Sequence, residues 1–332
     1  MSALIDAQVR AAVSRLAPSR TECPVYRRRD LLSLGVTDAM QSAMIRRGEL
    51  VRLRHGIYTL TESLDSADEA TRHRIDLAAA IASAREPAWA FGASSAVVLG
   101  YPLPFPVPSQ LALVRRSGMD ERTLHQPSRH RLVLPRTHVT TGPVDADRSA
   151  TVLGVPVVEP GLAALSTAVT LESGRWQTAL FDAALWQGTD VARIVSLVET
   201  WRHLGHRDKL LGALERARPG AQTVLETFSR LTFVERGLPE PILQHAFYDD
   251  EGLIGYADMW WPSLNVIGEA DGLVKYGTRE DVIREKRRED RLRALGAAVV
   301  RWTFQDLEQR PEWIVSAIRR AAGSSTRAGE IR

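Results

Sequence analysis

The stretch YADMWWPSLNVIGEADG, residues 256 to 272, decides how this chain is read. It has the pattern of two strands around a turn. If Pro262 to Asn265 make that turn, Trp261 pairs with Val266, and the same register sets Asp258 directly opposite Glu269. Opposed residues on antiparallel strands have Cβ atoms ~5 Å apart. Strands send alternate side chains to opposite faces. Glu269 and Asp271 therefore share a side with Ile267, while Val266, Gly268 and Ala270 fill the other, apolar side, which is expected to be the buried one. Carboxylates gathered this closely repel unless a proton or a divalent cation neutralises them. The spacing asks for a metal, with Asp258 and Glu269 as its ligands, and oxygen donors suit Mg2+ or Mn2+.

Working outward, Pro219 and Gly220 mark a break, and QTVLETFSRLTFVERG after it reads as a helix ending at Gly237. Strands PILQHAFYD, GLIGYADMWW and LNVIGEADG follow, then a charged helix TREDVIREKRREDRLRALG, the strand AAVVRWTF and a helix around PEWIVSAIRRAAG. The order is α-β-β-β-α-β-α. From Arg279 to Arg293 the charged helix holds seven basic and five acidic residues, and Arg284 to Arg291 contains no apolar residue. That stretch is expected to lie outside the core, with Arg284, Lys286, Arg287, Arg288 and Arg291 either available to phosphates or tied up in i,i+4 ion pairs such as Glu280 with Arg284 and Lys286 with Asp290.

Toward the other end, Tyr26 to Tyr58 holds seven arginines against three acids. The order there is a helical run RRRDLLSLG with a stop at Gly35, a helix TDAMQSAMIRRG with Thr37 as N-cap and Gly48 as stop, and the alternating pair ELVRLRHGIYTL. This is a helix-turn-helix with a two-stranded wing. In such modules the second helix enters the major groove and the wing follows the backbone. Gln41, Ser42, Ile45, Arg46 and Arg47 are then expected on or near the groove face, with Arg52, Arg54 and His55 on the wing. Between these ends, residues 65–219 alternate helices (HRIDLAAAIASAR, SSAVVLG, LAALSTAVTLE, RWQTALFDAALW) with strands (LALVRR, RLVLPRTHVTT, ATVLGVPVVEP).

The expected fold class is α+β or α/β multidomain. It comprises a winged helix-turn-helix over 1–64, an α/β middle domain over 65–219 and an αβββαβ domain over 220–332. A chain of 332 residues exceeds the usual single-domain size, which agrees with such a division. No segment approaches the ~18 uninterrupted apolar residues of a membrane helix, so no membrane partner is expected. The start MSALIDAQVRAAVSRLAPSR lacks a signal peptide's basic-then-apolar order, and cytoplasmic residence is expected. One cysteine, Cys23, excludes an internal disulfide framework and a cysteine-based zinc site. His203 with His206, and His125, His130 and His138, lack carboxylates or cysteines at ligand spacing. There is no G-x-S-x-G elbow and no phosphate-cradling glycine loop.

The first sixty residues, through LLSLGVTDAMQSAMIRRGELVRLRHGIYTL, resemble the winged-helix domain that opens AbiEi-type antitoxins. The last 110 or so, in their element order and their acids, resemble the PD-(D/E)xK nuclease superfamily, and more closely its branch similar to very-short-patch repair endonucleases. That resemblance implies a restriction-endonuclease-like core. It places Glu226 at the first-helix glutamate, Gln244 at a first-strand glutamine, Asp258 at the metal-binding aspartate and Glu269-Ala270-Asp271-Gly272 at E-x-D-G. Lys275 falls where the branch usually has histidine, and Leu292, Gly296, Val299, Arg301 and Thr303 match its downstream pattern. One departure bears on chemistry: Asp271 stands at the superfamily's lysine. A carboxylate there can act as general base or second metal ligand, with Lys275 as the electrostatic partner.

Two functions follow as expectations. One is an Mg2+- or Mn2+-dependent deoxyribonuclease that binds double-stranded DNA through its head and uses Glu226, Asp258, Glu269, Asp271 and Lys275 in catalysis, with Arg284 and Arg288 on phosphates. The other is a non-enzymatic antitoxin and autorepressor that retains a degenerate nuclease fold and neutralises a co-encoded nucleotidyltransferase toxin. Symmetric cutting or palindrome binding under either reading requires a homodimer.

Overall fold

The computed structural model describes residues 23–115, 122–124, 137–141, 144–201, 204–271 and 279–329. Side chains are described for all of these except 122–124, 137–141, 279–282, 284, 285 and 324–329. The chain is a mixed α/β protein with three open sheets of three, four and six strands. Among the described residues no helix is long and apolar enough to cross a membrane. Packing divides the chain into two compact units: one runs to Glu172 and takes in Thr189–Leu211, the other comprises Ser173–Gly188 and Gly212–Arg332.

Among the described residues the first unit begins with the short strand Tyr26–Arg27, then helices Arg28–Ser33 and Asp38–Arg47 and strands Leu50–Arg54 and Ile57–Leu60, the last pairing with both other strands. Thr37 caps the second helix by accepting the amide of Met40, and Gly48 ends it at φ +74°, a left-handed geometry that glycine adopts without Cβ strain. Leu31, Val36, Met44, Leu50, Tyr58 and Leu60 form the core of these elements. A second cluster joins Leu53, Ile57 and Leu64 to Ile75 and Ala79 of helix Glu69–Ser83. Apolar packing thus continues across residue 64, the expected end of the first domain.

The six-stranded sheet orders its strands Arg122–Leu124, Thr137–Thr141, Leu111–Arg115, Ala88–Ala90, Val155–Val157 and Ala150–Val152. The run ATVLGVPVVEP, expected as one strand, is a hairpin in which Val152 pairs with Val155. Leu153 and Gly154 turn the chain with φ of +49° and +75°, the left-handed pair that a two-residue hairpin loop demands.

In the second unit, strands Ile242–Asp249, Gly252–Trp261 and Val266–Asp271 pair antiparallel, and Ala298–Thr303 joins the last of them in parallel. Helix Arg279–Ala294 makes the crossover between the two parallel strands. Trp261 pairs with Val266 and Met259 with Gly268, the register expected around the turn. Burial extends beyond the apolar side. On one face Met259, Trp261, Val266 and Trp302 pack with Leu225, Phe233, Ile314, Val315 and Ile318. On the other, Ile267 packs with Phe247, Ile254, Leu292 and Ala297. Both faces are covered, because the crossover helix lays Leu292 over the face that carries the acids.

Candidate carboxylate site and basic surface

Glu226 lies in the first turn of helix Val224–Glu235, whose N-cap Thr223 accepts the Glu226 amide and donates its hydroxyl to Glu226 Oε1 at 2.9 Å. The amide of Gln222 donates to Glu226 Oε2 at 2.8 Å. Capping groups thus hold a carboxylate that is only 4% exposed. Gln244 stands across from it with φ +49° inside a strand. This backbone conformation is uncommon for a residue with a side chain, and observed strain of this kind points to functional sites. It aims the amide inward: Nε2 donates to Glu226 Oε2 at 3.3 Å and to Asp258 Oδ1 at 3.4 Å. Asp258 Oδ2 accepts the amide of Ala270 at 2.8 Å, which fixes the carboxylate across the hairpin.

Glu269, 9% exposed, accepts from Arg288 Nη2 at 2.9 Å, and the same nitrogen donates to the carbonyl of Tyr256 at 2.7 Å. Burial raises all three acids. Glu269 is pushed up from 4.5 to about 7, against the opposing pull of Arg288. Asp258 is raised by burial, eased by the Ala270 and Gln244 hydrogen bonds and by Arg288. Glu226 is raised by burial and eased first by the Gln222 amide, while the charge of Asp258 pushes it further up. Asp271 ends its strand exposed, opposite Thr303, and its charge adds to the strain on Asp258.

The structure therefore gathers Glu226, Gln244, Asp258 and Glu269, leaves Asp271 at the rim, and adds Arg288. Lys275 and Gly272 lie outside the described residues, as do His125, His130 and His203, and Arg284 is described only in its backbone. The expectation for the charged helix is corrected at two positions. Arg288 turns onto Glu269, and Arg291 forks onto Asp249, with Nε 2.6 Å from Oδ2. Spacing ties Arg288 to the helix face of Leu292, four residues on, but not to the strand that face meets.

Among the described residues no group of three or more His, Cys, Asp or Glu side chains forms a metal ligand set. The fit for a divalent ion is the two-carboxylate kind, in which substrate oxygens and water complete an Mg2+ or Mn2+ shell. Asp258 and Glu269 would hold it. The observation in favour is charge: three carboxylates are enclosed together, and burial raises each of them although Arg288 donates to Glu269 and the charge of Arg301 also acts on it.

In the first unit Ser42, Ile45, Arg46 and Arg47 are exposed on the second helix, and Arg52 and His55 on the strand pair, where Arg52 Nη2 lies 2.6 Å from His55 Nδ1. Two expected DNA contacts turn inward instead. Gln41 is 3% exposed, and its amide donates to the carbonyl of Val36 at 2.9 Å. Arg54 is 7% exposed. A register shift between Arg52 and Arg54 breaks the strand's alternation, so Arg54 falls on the buried side, where the charge of Asp76 opposes its desolvation.

No family model matches the chain. Two curated proteins of Mycobacterium tuberculosis are similar to it: uncharacterized protein MT2308 of strain CDC 1551 / Oshkosh and uncharacterized protein Rv2248 of strain ATCC 25618 / H37Rv. Each is 26% identical over 109 residues, which is 33% of this chain and 40% of the relative. The match thus spans less than half of either relative's length.

Proposed function

We propose that this protein is a double-stranded-DNA-binding, Mg2+- or Mn2+-dependent endonuclease. Its head is a winged helix presenting Ser42, Arg46, Arg47, Arg52 and His55, and its C-terminal unit is a restriction-endonuclease-like core. The observation that carries the reading is the set of enclosed carboxylates Glu226, Asp258 and Glu269, the first two bridged by the Gln244 amide and the third held by Arg288. A bound divalent ion polarises a phosphoryl oxygen and lowers the pKa of its water. The chain's part is to hold Asp258 and Glu269 at fixed rotamers, exclude bulk water and keep a guanidinium beside the developing charge. In the net reaction, water adds its oxygen to phosphorus, the phosphodiester P–O bond breaks, and a water proton goes to the leaving oxygen.

Purified protein is expected to nick supercoiled plasmid in the presence of Mg2+ or Mn2+, and the double variant Asp258→Ala, Glu269→Ala to lose that activity. Unchanged nicking by the double variant would sink the reading. A second reading is favoured by one observation: Asp271 stands where the resemblance gives a lysine. It makes the protein a non-enzymatic antitoxin-type autorepressor that binds DNA and a nucleotidyltransferase toxin. Under it the wild type shifts its own upstream DNA in a gel, loses the shift on Arg46→Ala with Arg47→Ala, and does not nick with either metal.

A further inference from the structure

We propose that Arg288 supplies, from the crossover helix, the fixed positive charge that the carboxylate-bearing strand lacks at residue 271. The inference rests on the nuclease reading above.

Four observations carry it. First, the guanidinium is tied to both strands of the hairpin: Nη2 donates to Glu269 Oε1 at 2.9 Å and to the Tyr256 carbonyl at 2.7 Å. Second, the seat is shaped for it, since a Cβ at Gly255 would come 2.9 Å from Arg288 Nε. A side chain at that position would make the guanidinium shift from its present seat. Third, two rows of residues match. Ile267 and Glu269 are two apart on one strand face, and Arg288 and Leu292 are four apart on one helix face. Leu292 packs in the cluster of Ile267, which sets Arg288 over Glu269. Fourth, the pair is enclosed: the Arg288 and Glu269 side chains are 20% and 12% exposed.

The choice of arginine is physical. A guanidinium stays protonated beside buried acids, and its planar fork matches carboxylate and phosphate oxygens in a way an ammonium does not. Arg288 is thus a positioning residue for Glu269 and a fixed charge beside the place where a phosphodiester would react. Its role differs in sign from a structural one. Deleting a cation beside a metal site strengthens metal binding while it removes stabilisation of the developing negative charge.

The experiment compares full-length wild type, Arg288→Met and Arg288→Lys by Mn2+ affinity from electron paramagnetic resonance, by plasmid nicking and by thermal melting. Arg288→Met is expected to bind Mn2+ on the order of tenfold more tightly, through the lost repulsion. It is also expected to nick on the order of 10²- to 10³-fold more slowly, as for loss of one preorganised charge-stabilising donor. Arg288→Lys, which keeps the charge, is expected to recover part of the rate and to return Mn2+ affinity toward wild type. A Met variant that nicks at the wild-type rate, or one that melts normally yet binds Mn2+ more weakly, overturns the proposal and leaves the nuclease reading standing. Should the Met variant not fold, a folded Lys variant that nicks no faster than background overturns it as well. A wild type that neither binds Mn2+ nor nicks removes the nuclease reading, and the proposal falls with it.

Discussion

Gly268 sits where two indoles close over the hairpin: a Cβ built on it would lie 2.7 Å from Trp302 and 2.8 Å from Trp261. Both tryptophans are 1% exposed, and each is fixed at its nitrogen, Trp261 donating to the Pro239 carbonyl and Trp302 to the Ser229 hydroxyl. Neither ring can yield without breaking its hydrogen bond. Gly268→Ala is therefore expected to destabilise the protein by about 1–3 kcal/mol, the usual cost of overpacking a filled core. Urea unfolding checks this, and a midpoint equal to wild type would refute it. The sequence shows Gly268 on the apolar side of its strand and shows the carboxylates on the other. It does not show why that position is glycine, because Trp302 arrives from a parallel strand across a crossover of some thirty residues. Asp258 and Glu269 were legible because one tight turn sets their register. Arg288 was not assigned to them because its partner strand is distant in sequence.

Helix Glu69–Ser83 places two titratable groups of opposite tendency on neighbouring turns. His73 Nε2 lies 2.9 Å from Ser94 Oγ, which already accepts the Ala112 amide and so has its proton to give to the ring. Burial drives His73 down from 6.5 to about 4, opposed by a backbone hydrogen bond at Pro108. Folding selects the neutral ring, so the stability it contributes is complete above pH 6.5 and is lost as pH falls through 4. Burial raises Asp76 from 3.8 to about 6, with Arg54 and Arg72 pulling the other way. Its contribution is complete below pH 3.8 and is lost as pH rises through 6. The two slopes oppose each other in the same window. His73→Gln is expected to flatten the acid loss of stability between pH 6.5 and 4. Asp76→Asn is expected to steepen it, since the gain from protonating Asp76 is gone. Melting midpoints across pH 4 to 8 decide the matter, and variant curves parallel to wild type would count against it. The helix itself was plain in HRIDLAAAIASAR, and the spacing of His73, Leu77 and Ala80 marks the inward face. The partner of Asp76 was hidden, because the register shift that turns Arg54 inward leaves no mark in the alternation of LVRLRHG.

At the scale of the whole molecule, the break at Pro219 and Gly220 reads as a domain boundary, yet the C-terminal unit reaches back to Ser173–Gly188. A buried ion pair joins that segment to the rest of the unit, beside the ring contact of Trp176 with Phe228. Arg230 and Asp182 have side chains 2% and 1% exposed and sit 3.2 Å apart. Asp182 also accepts from the Thr227 hydroxyl at 2.7 Å and from the Arg218 amide at 2.6 Å. Composition cannot reveal this link, since Asp182 in RWQTALFDAALW looks like a polar residue on an ordinary amphipathic helix. A fragment of residues 220–332 would keep Arg230 and lose both Asp182 and Arg218. A buried charge stripped of its partner costs about 3–5 kcal/mol, and whole domains are stable by only about 5–15 kcal/mol. Glu240, 3.2 Å from Arg230 but 39% exposed, is too solvated to replace the buried partner. Residues 220–332 alone are therefore expected to remain unfolded or molten, and residues 173–332 to fold, because Asp182 returns with helix Gly174–Trp186. Amide proton dispersion in a nuclear magnetic resonance spectrum separates the outcomes. A well-dispersed spectrum from 220–332 would mean that the sequence boundary is the physical one and that the Asp182 to Arg230 pair is dispensable.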